Sequence, residues 1–284
     1  MKKAPAKISA ALRPAKESVG PAALRYDSAP ARRAFILHLL SNTGFCSAAE
    51  LSRELSVSEM TVRRDIQRLA KEGQARAVHG GVSTITTLMG PIDFRLRAAQ
   101  RLAPKHAIAR HAISLLAANS VVALDAGTTT LEVARLLPPD LRMTIVTHSL
   151  PVIGTVASRS NLEVIGLGDA LHPDTQAFAG PITLHALSDI RVHTLLLGAT
   201  SVRDHAMWCT NTFDAATKRA LMAAADRVVL LVDSAKFAIT AAMKVAPLNE
   251  VHTIISDSSI TPEARAMCES AGVELIVVKD DDAR

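Results

Sequence analysis

Ser58 to Gly73 reads SEMTVRRDIQRLAKEG. At 100° per residue, Val62, Ile66 and Leu69 fall on one stripe, the buried face of a helix. Met60, Arg63, Arg64, Gln67, Arg68 and Lys71 fall on the opposite side, with Asp65 as the nearby acid. Ser58 is a helix-starting residue, and Gly73 stops the helix after Glu72. Upstream, Ala31 to Ser41 carries Ile36, Leu39 and Leu40 on one face and ends at Asn42-Thr43-Gly44. Ser47 opens a second short helix, Ala48 to Leu55, with Leu51 and Leu55 one turn apart. Ser56-Val57 is then a tight turn into the basic helix. Two helices joined by such a turn form a helix-turn-helix, whose second helix fits the major groove of B-DNA. Arginine pairs bidentately with guanine and glutamine with adenine, while Ser58, Thr61 and the free N–H groups at the helix start suit phosphate oxygens. Gln74 to Val78, then His79-Gly80-Gly81-Val82, predicts a β-hairpin directly after that helix, a wing that places Arg76 and His79 beside the duplex. An ordinary solvated helix face is the competing reading; the helix lengths, the turn and the glycine hairpin together weigh against it.

Beyond about Pro104 the pattern changes. Apolar runs at 121–124, 144–146, 162–167, 194–197, 227–232, 253–255 and 273–278 alternate with helical stretches near 104–118, 129–137, 150–158, 214–225 and 262–271. Nearly all-apolar strands alternating with helices predict a mostly parallel sheet covered on both faces, an α/β class. The first strand runs into Asp125-Ala126-Gly127-Thr128-Thr129-Thr130. A helix N-terminus offers unpaired N–H groups and partial positive charge, threonine hydroxyls add donors, and Gly127 lets an anion approach the backbone. The same threonines also suit a plain helix cap, and at this point both readings stand. Other strand ends carry Thr147, His148 and Ser149; Gly166, Gly168 and Asp169; Gly198, Thr200 and Ser201; and Asp233, Ser234 and Lys236. Ligands of open parallel sheets bind beyond the carboxyl ends of the strands, although such residues are also ordinary turn formers. Lys218, on the 214–225 helix, is a further anion partner.

The 284 residues allow two domains. Residues 1–80 hold 14 Lys and Arg against 7 Asp and Glu, and residues 81–284 hold 18 against 20. The basic excess therefore sits in the N-terminal part, as a polyanion partner requires. Hydrophobic residues at 49% and charged residues at 21% exclude collagen, a mostly disordered chain and a small disulfide scaffold. No apolar run reaches the roughly 18–20 residues of a membrane span, and the first residues lack the apolar core of a secretory signal. Cys46, Cys209 and Cys268 are far apart and odd in number, which fits a reducing cytoplasm. Neither a cofactor nor a metal is expected: the glycine spacings of nucleotide-binding loops are absent, and the ten histidines are scattered.

Glu50-Leu51-Ser52, Val57-Ser58-Glu59-Met60-Thr61-Val62-Arg63-Arg64-Asp65-Ile66, Leu69-Ala70-Lys71-Glu72-Gly73 and His79-Gly80-Gly81 together closely resemble the DNA-binding signature of the DeoR family of bacterial transcription regulators. The resemblance implies a winged helix-turn-helix with Thr61, Arg63 and Arg64 at the DNA. It extends to the second half: Asp125-x-Gly127-Thr128-Thr129-Thr130 resembles the family's D-x-G-T-T loop, Asp214 to Lys218 an acid and lysine on a helix, and Asp233 to Phe237 a D-x-[ST]-K-[FL] segment. For this half it implies a sensor domain similar in fold to ribose-5-phosphate isomerase that responds to phosphorylated sugars or related metabolites. Three positions depart from the family pattern: His148 stands for a usual Asn, Asp169 for a common glycine, and Thr200-Ser201 for Asp-Gly.

These readings set the expectation. Residues 1–30 form a disordered tail, 31–82 the winged helix-turn-helix, 83–103 a linker whose Arg95, Arg97 and Arg101 couple the halves, and 104–280 the effector-sensing and oligomerisation domain. DNA contacts are expected at Ser58, Thr61, Arg63, Arg64, Gln67, Arg68, Arg76, His79 and Gly80. Effector contacts are expected at Asp125, Gly127, Thr128, Thr129, Thr130, Thr147, Ser149, Gly168, Asp169, Thr200, Lys218, Asp233 and Lys236. The protein is then a cytoplasmic, homo-oligomeric repressor of a carbohydrate operon, released from operator DNA by a phosphorylated metabolite. The alternative is a sugar-phosphate isomerase or deaminase carrying a DNA-binding module.

Overall fold

The structure is a computed structural model and describes residues 28–78, 80–83 and 94–279. The expectations for residues 1–27, His79, 84–93 and 280 lie outside the described residues.

The first module runs α1 (Ala29–Thr43), β1 (Phe45–Ser47), α2 (Ala48–Leu55), α3 (Glu59–Lys71), β2 (Arg76–Val78) and β3 (Gly81–Ser83). Ser28, Ser47 and Ser58 cap the three helices with their side chains, and Ser47 and Glu50 form a reciprocal capping box. Ile36, Leu40, Leu51, Leu55, Val62, Ile66 and Leu69 meet in one core. The sequence reading missed β1, a three-residue strand that turns the expected hairpin into a three-stranded sheet of order β1-β3-β2. Gly81 makes this possible, because a Cβ there would lie 2.2 Å from the carbonyl oxygen of Cys46.

A second correction concerns Asp65. It does not share the solvent face of α3 but is buried against α1, where it accepts from Arg32 at 2.8 Å and lies 3.6 Å from Arg33. Helical phase allows this: Asp65 lies one turn from the core positions Val62 and Leu69, at the edge of the buried stripe.

The second module contains α4 (Phe94–Ala99), α5 (Leu102–Ser114), β4 (Val121–Leu124), α6 (Thr128–Leu136), β5 (Met143–Thr147), α7 (Leu150–Val156), β6 (Leu162–Gly166), β7 (Ala170–His172), β8 (Ala177–Ala179), α8 (Pro181–Ser188) and β9 (Val192–Gly198). It continues with β10 (Ser201–Arg203), β11 (Ala206–Cys209), α9 (Thr212–Ala224), β12 (Ala225–Leu231), β13 (Met243–Pro247), β14 (Thr253–Asp257), α10 (Pro262–Ser270) and β15 (Glu274–Val278). The seven expected strands form one parallel sheet of order β15-β14-β12-β9-β4-β5-β6, with an apolar core on each face. The β7-β8 hairpin, the β10-β11-β13 sheet and α8 are additions that the sequence reading did not place.

The strand order positions the site. From β4 the chain winds outward through β5 and β6, then returns to β4's other side at β9 and winds away through β12, β14 and β15. The β4/β9 junction is thus a topological switch point, where adjacent loops diverge and leave a crevice at the carboxyl ends.

Candidate nucleic-acid interface and ligand pocket

On α3, Met60, Arg63, Arg64, Gln67, Arg68 and Lys71 are all exposed, while Val62, Ile66 and Leu69 hold the helix down. Arg63 lies 3.5 Å from Glu59 and Arg68 2.5 Å from Glu72, both one turn away along the helix. These exposed acids, not Asp65, are the ones that offset the cationic face. The Arg64 side chain makes no hydrogen bond or ion pair among the described residues. The Oγ of Ser58 accepts from the N–H of Thr61 at 3.3 Å and shares a hydroxyl contact with Thr61 at 3.0 Å. Arg76 and Gly80 are exposed on the wing.

The crevice at the switch point is a pocket lined by seven of the expected effector residues: Asp125, Gly127, Thr128, Thr129, Thr200, Lys218 and Lys236. Asp125 is its anchor. Its Oδ2 accepts from the Gly198 N–H at 2.9 Å and from the Lys218 ammonium at 2.5 Å. Its Oδ1 is buried without a hydrogen-bond partner among the described residues, with His148 Nε2 at 3.8 Å. Burial by itself would raise this carboxyl, but the ammonium of Lys218, through its charge and its hydrogen bond, and the Gly198 N–H outweigh it and hold the group below the ordinary carboxylate range. Burial would likewise lower Lys218, but Asp125 and Asp214, the latter at 3.4 Å, drive it above the usual lysine value. For His148 the balance falls the other way: burial outweighs the pull of Asp125, so its pKa is lowered and the imidazole is held neutral.

The three threonines divide between the two readings. Thr130 is the cap: its hydroxyl accepts from the Gly127 N–H at 2.9 Å and donates to the Asp125 carbonyl at 2.5 Å. The hydroxyls of Thr128 and Thr129 bond nothing among the described residues and line the pocket. The backbone N–H of Lys236 donates to the Asp233 carbonyl at 2.9 Å, and its ammonium, which lines the pocket, makes no hydrogen bond or ion pair among the described residues.

Six expected effector residues lie outside the pocket lining. Thr130 is committed as above. Thr147 is buried and donates to the Leu124 carbonyl at 2.7 Å, tying β5 to β4. Ser149 is buried as the cap of α7. Gly168 gives its carbonyl to Thr183 at 3.0 Å. Asp169 caps α8, accepting from the N–H groups of Ile182 at 2.8 Å and Thr183 at 3.1 Å. Those bonds, Thr183's first, hold its carboxyl below the ordinary range. Gly180 is the counterpart, since a Cβ there would lie 2.5 Å from the Asp169 oxygens. Asp233 is buried and pairs with Arg101 at 3.0 Å, facing a neighbouring cavity. All six are explained by strand-end and cap chemistry, which uses the same residue types as ligand binding.

The pocket also takes in residues outside the expected effector set. Asp214, Thr175 and Thr210 line it, and so does Arg97 from α4. Asp214 stood in the sequence one helical turn before Lys218, which is the signal that an ion pair on one face gives. Among the described residues, no group of three His, Cys, Asp or Glu side chains is placed to hold a metal ion.

Residues 32–87 match the family model described as the DeoR-like helix-turn-helix domain, and residues 100–258 match the DeoR C terminal sensor domain. The chain belongs to the DeoR family of transcription regulators. The L-fucose operon activator of Haemophilus influenzae is 32% identical over 248 residues, covering 87% of this chain and 99% of that protein. The HTH-type transcriptional regulator GlpR of Haloferax volcanii is 31% identical over 86% of this chain and 96% of its own length. The transcriptional repressor AccR of Agrobacterium fabrum is 28% identical over 82% and 91%. Among solved structures, the ribose 5-phosphate isomerase A of Methanocaldococcus jannaschii aligns with a TM-score of 0.35 and 16% identity, over 47% of this chain and 53% of that one. This DeoR-family chain is a DNA-binding transcription regulator and not an enzyme, which sets aside the isomerase or deaminase alternative. No helix among the described residues is long and apolar enough to cross a membrane.

Proposed function

We propose that the protein represses a carbohydrate operon from the cytoplasm and leaves its operator when a phosphorylated sugar or related metabolite fills the switch-point pocket. In this reading α3 enters the major groove, with Arg63, Arg64, Gln67 and Arg68 toward the bases and Ser58, Thr61, Arg76 and Gly80 toward the backbone. The observation that carries the effector half is the pairing of two chemistries in one crevice. An open helix N-terminus with Thr128, Thr129 and Lys236 suits a phosphate, and the unpartnered Asp125 Oδ1 suits a sugar hydroxyl. Thr200 stands where the family often has an acid, which favours a ligand with fewer hydroxyls or an oxidised carbon at that end. The L-fucose operon named for one relative and the repressor named for another support a sugar-linked repressor. Exposed Ile165 on edge strand β6, together with exposed Leu171 on β7 and Ile182 on α8, supports a homo-oligomer.

A thermal-shift panel of phosphorylated sugars and their unphosphorylated parents tests the pocket, because a specific ligand raises stability by mass action. The expected hit raises Tm in the wild type and not in the Thr128→Ala/Thr129→Ala double variant, and it releases a duplex that the protein has selected from a random pool. A hit that tightens DNA binding instead would make the protein an activator of the kind one relative is named for.

A further inference from the structure

Arg97 reaches the pocket from outside the sheet. It belongs to α4, the short helix that opens the second module directly after residues 84–93. Three anchors fix α4. At its start Phe94 is buried in the core, and its N–H donates to the Asp174 carbonyl in the β7-β8 turn at 3.1 Å. At its end the buried Lys105 ammonium donates to the Arg97 carbonyl and, at 2.6 Å, to the Gln100 carbonyl. Beyond it Arg101, whose φ of 50° lies in the left-handed region, holds Asp233 at 3.0 Å, Ser234 at 3.0 Å and Asp257 at 3.6 Å. The Thr175 wall of the pocket is part of the same β7-β8 turn that α4 grips.

Arg97 and Lys236 line two cavities at once. One is the ligand pocket. The other is smaller and closed on its far side by Thr43 and Phe45 of the first module. Around this second cavity stand Arg97, Arg101, Lys105 and Lys236, against Asp233 and its neighbour Asp257. Positive charge exceeds negative there, in surroundings dry enough that burial pushes the Lys105 ammonium down to about 8 and lowers Lys236. A dianion in the ligand pocket would sit against both shared cations.

We propose that Arg97, with Lys236, binds the anionic group of the effector, so that a phosphate-type dianion entering the pocket becomes part of the joint between the sensor and the DNA-binding module through α4. The inference rests on the anion-pocket reading above and adds to it the residue and the helix through which that charge is felt. A neutral sugar fills the pocket without touching this joint, so charge and not shape transmits the signal.

Inorganic phosphate is the probe, titrated at constant ionic strength into the full-length chain. Binding is read by thermal shift and by fluorescence of Trp208, the single tryptophan, whose carbonyl accepts from the N–H of the pocket residue Thr200 at 3.0 Å. DNA affinity is read on a selected duplex. Arg97→Gln is expected to raise the phosphate Kd at least tenfold, with Arg97→Lys intermediate. At phosphate concentrations that saturate each protein, the wild type loses DNA affinity and Arg97→Gln does not. A merely structural role would lower the urea midpoint and leave the phosphate Kd where it was. If Arg97→Gln binds phosphate like the wild type while Thr128→Ala/Thr129→Ala does not, the pocket reading stands and this inference alone fails. If Arg97→Gln binds weakly yet still releases DNA at saturation, the joint is elsewhere. No phosphate-specific response in the wild type would overturn both the pocket and the role of Arg97.

Discussion

Arg63 and Lys218 carry the same charge in opposite surroundings. The Arg63 side chain is 61% exposed and only loosely paired with Glu59, while Lys218 is 5% exposed and clamped between Asp125 and Asp214. An exposed pair gains little Coulomb energy in water, so α3 gives up almost nothing when its arginines turn to a duplex. A buried pair is expensive to desolvate and expensive to break, so the pocket keeps its geometry before any ligand arrives. In the proposed function, one region meets a partner that brings its own dense charge, and the other is preorganised for a small molecule that must be told from its neighbours.

The sharpest way to break this contrast is to remove Asp125. Asp125→Ala leaves Lys218 buried without its main partner and should destabilise the fold by about 3–5 kcal/mol in urea denaturation. The Asp125→Ala/Lys218→Met pair should recover much of that loss, and no recovery would mean that the ion pair is not the cause. On the other side, Arg64→Ala should weaken binding to a selected duplex by roughly 1–3 kcal/mol, with the urea midpoint within about 0.5 kcal/mol of the wild type. An unchanged gel shift would detach α3 from the groove.

His148 sharpens the comparison through pH. Its folded pKa is lowered by burial, so below its ordinary value of 6.5 the unfolded chain takes up a proton that the folded chain refuses, and stability falls as the pH drops. His148→Asn removes that contribution, so its urea midpoint should decline less than the wild type's between neutral pH and about pH 5, at no more than about 1.4 kcal/mol per pH unit. Parallel curves would place the titration elsewhere. The smallest effect is expected at Arg68. Losing its exposed contact with Glu72 should change stability by less than about 1 kcal/mol, and a larger change would show that the face of α3 supports the fold.

The seven strands of the parallel sheet were legible because each is an almost unbroken apolar run, and α3 because its apolar spacing is helical. β1 was not, since three residues of Phe45-Cys46-Ser47 carry no period; only the close approach permitted by Gly81 makes them a strand. The candidate site was half legible. Asp125, Gly127 and Lys218 could be named from their loop and helix. Thr147, Ser149 and Asp169 could not be told from ligand contacts, because a hydroxyl or carboxylate at a strand end meets backbone N–H groups and ligands with the same chemistry.

The amino-acid order alone determined the local periods, the caps, the basic face of α3 and the family signature, since each depends on residues within a turn or two of one another. Only the tertiary structure decided which polar groups were already spent. It gave Thr130 and Asp169 to helix ends, left Asp125 Oδ1 and the hydroxyls of Thr128 and Thr129 open, turned Asp65 inward to α1, and brought Arg97 to a pocket 28 residues before its floor begins at Asp125. Whether a buried polar atom finds its partner in the chain is settled by packing between distant segments, and spacing along the sequence carries no record of it.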